Sequence, residues 1–166
     1  MRFALILVLL LLSGVVVTAQ TTKPADVPTS FKDRKVHPAT QPGQVLEISI
    51  KELGNFDFDD DKGSPIPDDV KALSGVIIKL HGFMIPMDQA DHITKFALAP
   101  LDLFTTNKSP PLQQTIVVTC PADKPVNYEA GEIVVQGKLK VGIVKDDGFI
   151  IQIFAVDDAE VEPASK

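Results

Sequence analysis

Residues 132–156 read EIVVQGKLKVGIVKDDGFIIQIFAV, and this stretch decides the fold. Ile133, Val135, Leu139, Val141 and Ile143 keep to one side of a period-two alternation, interrupted only by Gly137. Extended backbone points successive side chains to opposite faces, so this alternation predicts a half-buried strand over Glu132 to Val144. A glycine inside such a run marks a bulge or a close backbone approach. Asp147-Gly148 then supplies two residues suited to a tight hairpin turn, and Phe149 to Val156 returns as the partner strand.

Moving toward the N-terminus, the same signal repeats. Thr115 to Cys120 turns Ile116, Val118 and Cys120 to one face, and Lys95 to Leu101 reads as another short strand. Gly75 to Pro86 sets Val76, Ile78, Leu80 and Met84 against Lys79 and His81, with Gly82 placed for a bulge or the sharp coil of a small barrel. Leu46, Ile48 and Ile50 share a face opposite Glu47, Ser49 and Lys51, which predicts a first or edge strand. One short helix is expected near Pro67 to Leu73: proline suits a first helical turn, Asp68 and Asp69 suit the positive end of the dipole, and Gly75 can close the C-terminus. Five or six strands and one short N-terminal helix predict an all-β class. The expected form is a small OB-like barrel, with a sandwich as the alternative.

The composition bounds the function. A chain of 166 residues holds one ordinary domain. Sixteen Lys and Arg against 22 Asp and Glu give a net charge of −6, which argues against nucleic acid, because its binders need basic surface to release counterions. No Trp and a single Tyr leave few aromatic platforms for sugars or bases. The single cysteine excludes an intrachain disulfide.

Arg2 precedes ten unbroken apolar residues, Phe3 to Leu12, and small residues follow to Val17-Thr18-Ala19. This reads as a signal peptide over residues 1–19 with the mature chain beginning at Gln20, hence an extracytoplasmic protein, periplasmic or secreted. The alternative is an uncleaved anchor over Phe3 to Ala19; on the cleaved reading, membrane contact ends with the signal segment. Gln20 to Gln44 carries Pro24, Pro28, Pro38 and Pro42 and reads as a flexible tether in which His37 is solvated. The barrel is then expected from Val45 to Val161, with residues 162–166 as a tail.

Three sets of residues carry a resemblance. These are Gly82-Phe83-Met84-Ile85-Pro86, then Phe96-Ala97-Leu98-Ala99-Pro100, then Pro110-Pro111 leading into Thr115-Ile116-Val117-Val118. With residues 135–142 and Asp146-Asp147-Gly148-Phe149, they resemble the exported bacterial domain-of-unknown-function family 3299 over most of Val45 to Val161. The resemblance implies an extracytoplasmic, compact β-rich domain. It also implies a cysteine or cysteine/histidine site just before the double proline, where this chain has Thr105 and Thr106, and Gln113 and Gln114 follow the prolines. Threonine hydroxyls are neither soft-metal ligands nor a redox pair, so shape rather than that chemistry is what carries over. The expected binding residues are therefore Phe104, Thr105, Thr106, Pro110, Pro111, Leu112 and Gln114, on a proline-stiffened loop from Leu101 to Gln114.

Other chemistry is thin. Asp57, Asp59, Asp61 and Asp68 are spaced like part of a calcium loop, but Lys62 stands where glycine is required and Asp68 where the longer Glu belongs. A solvated acidic turn is the preferred reading. Cys120 reads as a buried small hydrophobe rather than a nucleophile, and His81 and His92 as surface residues. No Gly-x-Ser-x-Gly elbow, phosphate loop or His-Glu-x-x-His is present. The expectation is an exported, non-catalytic binding or accessory module of the envelope. It needs no cofactor and takes an envelope protein or a small ligand as partner. The alternative is a metal-linked envelope protein, using either the Asp57 to Asp68 loop for calcium or a degenerate thiol site.

Overall fold

The computed structural model describes residues 34–41, 43–87, 89–100 and 109–164. The expected leader and the first part of the expected tether lie outside them. Six strands follow in chain order: β1 (Val45–Glu47), β2 (Ile77–Pro86), β3 (Lys95–Ala99), β4 (Ile116–Thr119), β5 (Glu132–Asp146) and β6 (Phe149–Pro163). Two four-residue helices, α1 (Ile50–Leu53) and α2 (Asp68–Lys71), separate β1 from β2. Among the described residues, no helix is long and apolar enough to cross a membrane.

The strands pair as a ring. β2 pairs with β3, β3 with β4, β4 with β6, β6 with β5, and β5 back with β2. Within the ring all contacts are antiparallel except β4 with β6, which run parallel with Ile116 opposite Phe154. This five-stranded, OB-like connectivity is what the sequence leads one to expect. Inside the ring, Leu80, Phe96, Leu98, Ile116, Val135, Leu139 and Phe154 are fully buried.

β1 is an addition to the ring. At Ile77 to Lys79, β2 is paired with β1 on one edge and β5 on the other, and at Phe83 it is paired with Ala99 of β3 and Glu132 of β5. β1 and β3 therefore share one edge of β2 in succession. Gly82 stands at the handover, where a Cβ would lie 2.7 Å from the Ala99 carbonyl oxygen and 3.0 Å from both Ile50 Cδ1 and Leu98 Cγ. Gly137 plays the matching part in β5: the β5–β6 register shifts across it, and a Cβ there would meet the Asp157 carbonyl oxygen at 2.7 Å.

Four expectations need correction. The first strand ends at Glu47 rather than running through Ile50, because Ser49 accepts a hydrogen bond from the Glu52 N–H at 3.1 Å and so caps α1. There are accordingly two short helices instead of one, and Pro67 sits at the N-cap of α2 rather than inside its first turn. Ile143 shares a face with Leu139 in the alternation but is exposed, because β5 and β6 run on past the ring as an arm, where the acidic turn at Gly63 approaches that face without covering it. His37 is buried at 8% exposure rather than solvated, held where the chain passes α2. The Asp147-Gly148 turn is as expected, with φ of 46° and 87°.

Candidate functional site

The parallel pairing of β4 with β6 fixes what meets at one end of the barrel. With Ile116 opposite Phe154, the residues before β4 lie beside the opening residues of β6. The chain after α1 closes over the same place. Phe56 is buried and its ring meets Phe154 edge-on at 6.2 Å, while the Gln113 Nε2 donates to the Phe56 carbonyl at 3.4 Å. The acidic turn arrives there too, since a Cβ at Gly63 would lie 3.1 Å from Ile150 Cδ1. The opposite end is tied by an isolated bridge between Ile93 and Val126.

At the gathered end, Pro111 caps a 3₁₀ turn, Leu112–Gln114, whose Gln114 N–H donates to the Pro111 carbonyl at 2.8 Å. Pro110, Leu112 and Gln114 are half-buried and Pro111 is exposed. Leu112 packs on the core. Phe104, Thr105 and Thr106 lie outside the described residues. Gln113, not among the expected binding residues, is the buried member: its Nε2 is used on Phe56, and its Oε1 is buried with no donor. That amide leaves an acceptor unsatisfied under the rim, where an N–H or water would be stabilised. A side chain at Gly54 would run into the Gln113 carbonyl, so α1 and the 3₁₀ turn meet backbone to backbone.

Among the described residues, the acidic loop does not gather the side chains named for the alternative calcium site. Asp59 Oδ1 accepts from the N–H groups of Asp61 at 3.0 Å and Lys62 at 2.9 Å, which makes it the staple of a turn. Asp68 instead meets Lys71 at 3.0 Å. Asp57, Asp59, Asp61 and Asp68 are not brought together, and among the described residues no three His, Cys, Asp or Glu side chains are placed to hold a metal ion. Cys120 is buried, and burial pushes its thiol up from the usual range, which disfavours the nucleophilic thiolate. His81 and Lys79 face Glu47 at 3.8 and 3.9 Å on the outer surface.

The arm itself was the feature missed. β5 and β6 are fifteen residues each, against five in β3 and four in β4, so they outrun the ring. On the overhang Phe149 is 73% exposed, Ile151 51%, and Ile143 and Val144 42% each. The length mismatch was the available signal. Among the described residues, clefts elsewhere include one of about 340 Å³ between Thr40, Gln41, Gly43 and Gln44 and residues 74–77, and one of about 170 Å³ beside Lys79, Gln136 and Glu160.

Comparison with known proteins gives a family and a fold. Residues 64–162 match the family described as protein of unknown function (DUF3299). Those residues span α2 and the complete ring, and leave β1, α1 and most of the acidic turn outside. A crystal structure of a DUF3299 family protein from Pseudomonas aeruginosa PAO1 is similar at 22% identity with a TM-score of 0.50. The match covers 64% of this chain and 70% of that one, a likeness of fold. Among curated proteins, nothing matches.

Proposed function

The chain belongs to the DUF3299 family, and on that premise we propose that it is an exported, non-catalytic binding module of the cell envelope that engages a protein partner through the arm end of its barrel. The observation that carries the reading is the exposure of Phe149 and Ile151 on the β5–β6 overhang, at the end of the barrel where the 3₁₀ turn after Pro110-Pro111 packs on β6. Apolar side chains grouped this way on a small acidic domain gain most from being covered. The overhang stands proud of the barrel, whereas small ligands sit in concave clefts. A protein surface therefore suits it better than a small molecule does. In OB-type barrels the hairpin between the last two strands is one of the elements that flank the ligand.

Export is supported by the leader-like residues 1–19. Thr105 and Thr106 offer neither soft-metal ligands nor a redox pair, which suits a contact made through shape. A photo-crosslinking residue placed at Ile151 in growing cells tests the proposal, with Asn127 at the opposite end as control. A discrete adduct from position 151, absent from position 127 and lost on adding Phe149→Ser, is expected. Equal adducts from both ends, or none from 151, would contradict it.

A further inference from the structure

The chain before β1 is fastened to α2 by a small set of buried polar contacts. Nη2 of Arg34 lies 2.5 and 2.6 Å from the two carboxylate oxygens of Asp69, and both side chains are mostly buried. The His37 backbone N–H donates to the same carboxylate at 2.9 Å. Pro38 biases His37 toward extended backbone, which suits it to hold that N–H and its ring against the domain together. The His37 ring is buried between two exposed neighbours, Val36 and Pro38. The partners of these contacts lie in the segment itself and in α2, outside β2 to β6, so the segment can leave while the ring stays closed.

We propose that residues 34–37 form an acid-released latch: proton uptake by the buried His37 ring frees the segment from Asp69 and lengthens the connection between the barrel and everything before Arg34. The charged groups that face His37 are Asp69 from α2, Glu52 from α1 and Arg34 from its own segment. Burial lowers the affinity of its ring for a proton most strongly. Asp69 and Glu52 oppose that effect, Arg34 reinforces it, and the net shift is downward from the ordinary 6.5. Asp69 is also held below its ordinary value. Burial alone would raise it, but the Arg34 hydrogen bond and the His37 N–H outweigh that.

The sign follows from which state binds the proton better. The free segment takes it up near 6.5 and the latched one only at lower pH, so latching is at full strength above 6.5. It then weakens as pH falls toward the lowered value, by up to about tenfold per pH unit for one proton. Protonation of Asp69 at still lower pH acts in the same direction. Releasing the chain as far as β1 adds roughly 36 Å of contour at about 3.3 Å per residue. In a tethered domain this extends reach without altering the barrel.

Hydrogen exchange at the His37 amide, corrected for its intrinsic pH dependence, tests the latch in the full chain. Between about pH 7.5 and about pH 5.5, protection of this amide should fall, by no more than about tenfold for one proton. The Leu80 and Val135 amides, in the ring, should hold constant. His37→Gln, which cannot take up the proton, should stay latched across the range, and Asp69→Asn should be unlatched at both ends of it. The proposal is overturned if the wild-type amide is unprotected throughout or shows no pH dependence. An equal fall in His37→Gln, or a parallel loss at Leu80 and Val135, would overturn it as well.

Discussion

Gly82→Ala puts the ring geometry to a quantitative trial. The added Cβ would sit 2.7 Å from the Ala99 carbonyl oxygen, well inside van der Waals contact, and 3.0 Å from Ile50 Cδ1 and Leu98 Cγ. The two side-chain ends can give way. The carbonyl cannot do so cheaply, because Ala99 is paired with Phe83 in the β2–β3 ladder and the relief must come from backbone. Overpacking of this kind costs about 1–3 kcal/mol. A gain of about 0.4–1 kcal/mol from restricting the unfolded chain offsets part of it, leaving a net loss of about 1 kcal/mol. In urea, with a slope of about 2 kcal/mol per molar, the unfolding midpoint should drop by about 0.5 M at unchanged slope. Gly142→Ala is the control, since a Cβ there meets nothing within 4 Å. If Gly82→Ala moved the midpoint no more than Gly142→Ala does, the close passage of β2 past β3 would be wrong, and with it the handover from β1 to β3.

Phe154→Ala should cost about 3–5 kcal/mol in the same assay, because Phe154 is fully buried and supports Phe56 at the closed end. The Cys120 thiol should react slowly with a maleimide in native buffer and quickly in denaturant, and Cys120→Ala should lose about 1 kcal/mol through packing. Rapid native labelling would place Cys120 at the surface. Phe149→Ser should leave the unfolding free energy within about 0.5 kcal/mol of wild type, since the residue is 73% exposed. A larger loss would mean that the arm is part of the fold's own core.

Much of the fold was legible because alternation reports which residues share a face. Ile78, Leu80 and Met84, or Ile116, Val118 and Cys120, point inward together as read. Gly82, Gly137 and Asp147-Gly148 mark the coil, the bulge and the turn. Alternation does not report whether a neighbouring strand covers that face, and so Ile143 was misplaced once the β5–β6 pair outran its neighbours. It also cannot separate i, i+2 spacing from the start of a helix, where one Ser49 hydrogen bond decided the outcome at Ile50. His37 was misread because its partner, Asp69, is distant in sequence and belongs to a helix. Of the candidate site, Pro110, Pro111, Leu112 and the Asp57 to Asp61 turn were each recognisable as loop. Their meeting at one end depends on the parallel β4–β6 pairing, a non-local fact, and so does the burial of Gln113.

Thiol footprinting in cells addresses the binding proposal most directly. In a Cys120→Ala background, Phe149→Cys and Asn127→Cys each offer a single thiol, the first on the arm and the second at the far end of the barrel. With purified protein both should react at similar rates. In cells producing the protein at its natural level, a membrane-impermeant maleimide admitted to the envelope space should label position 127 freely and position 149 several-fold more slowly. Equal labelling of the two positions in cells would contradict a covered arm, and no labelling of either until the inner membrane is opened would contradict export.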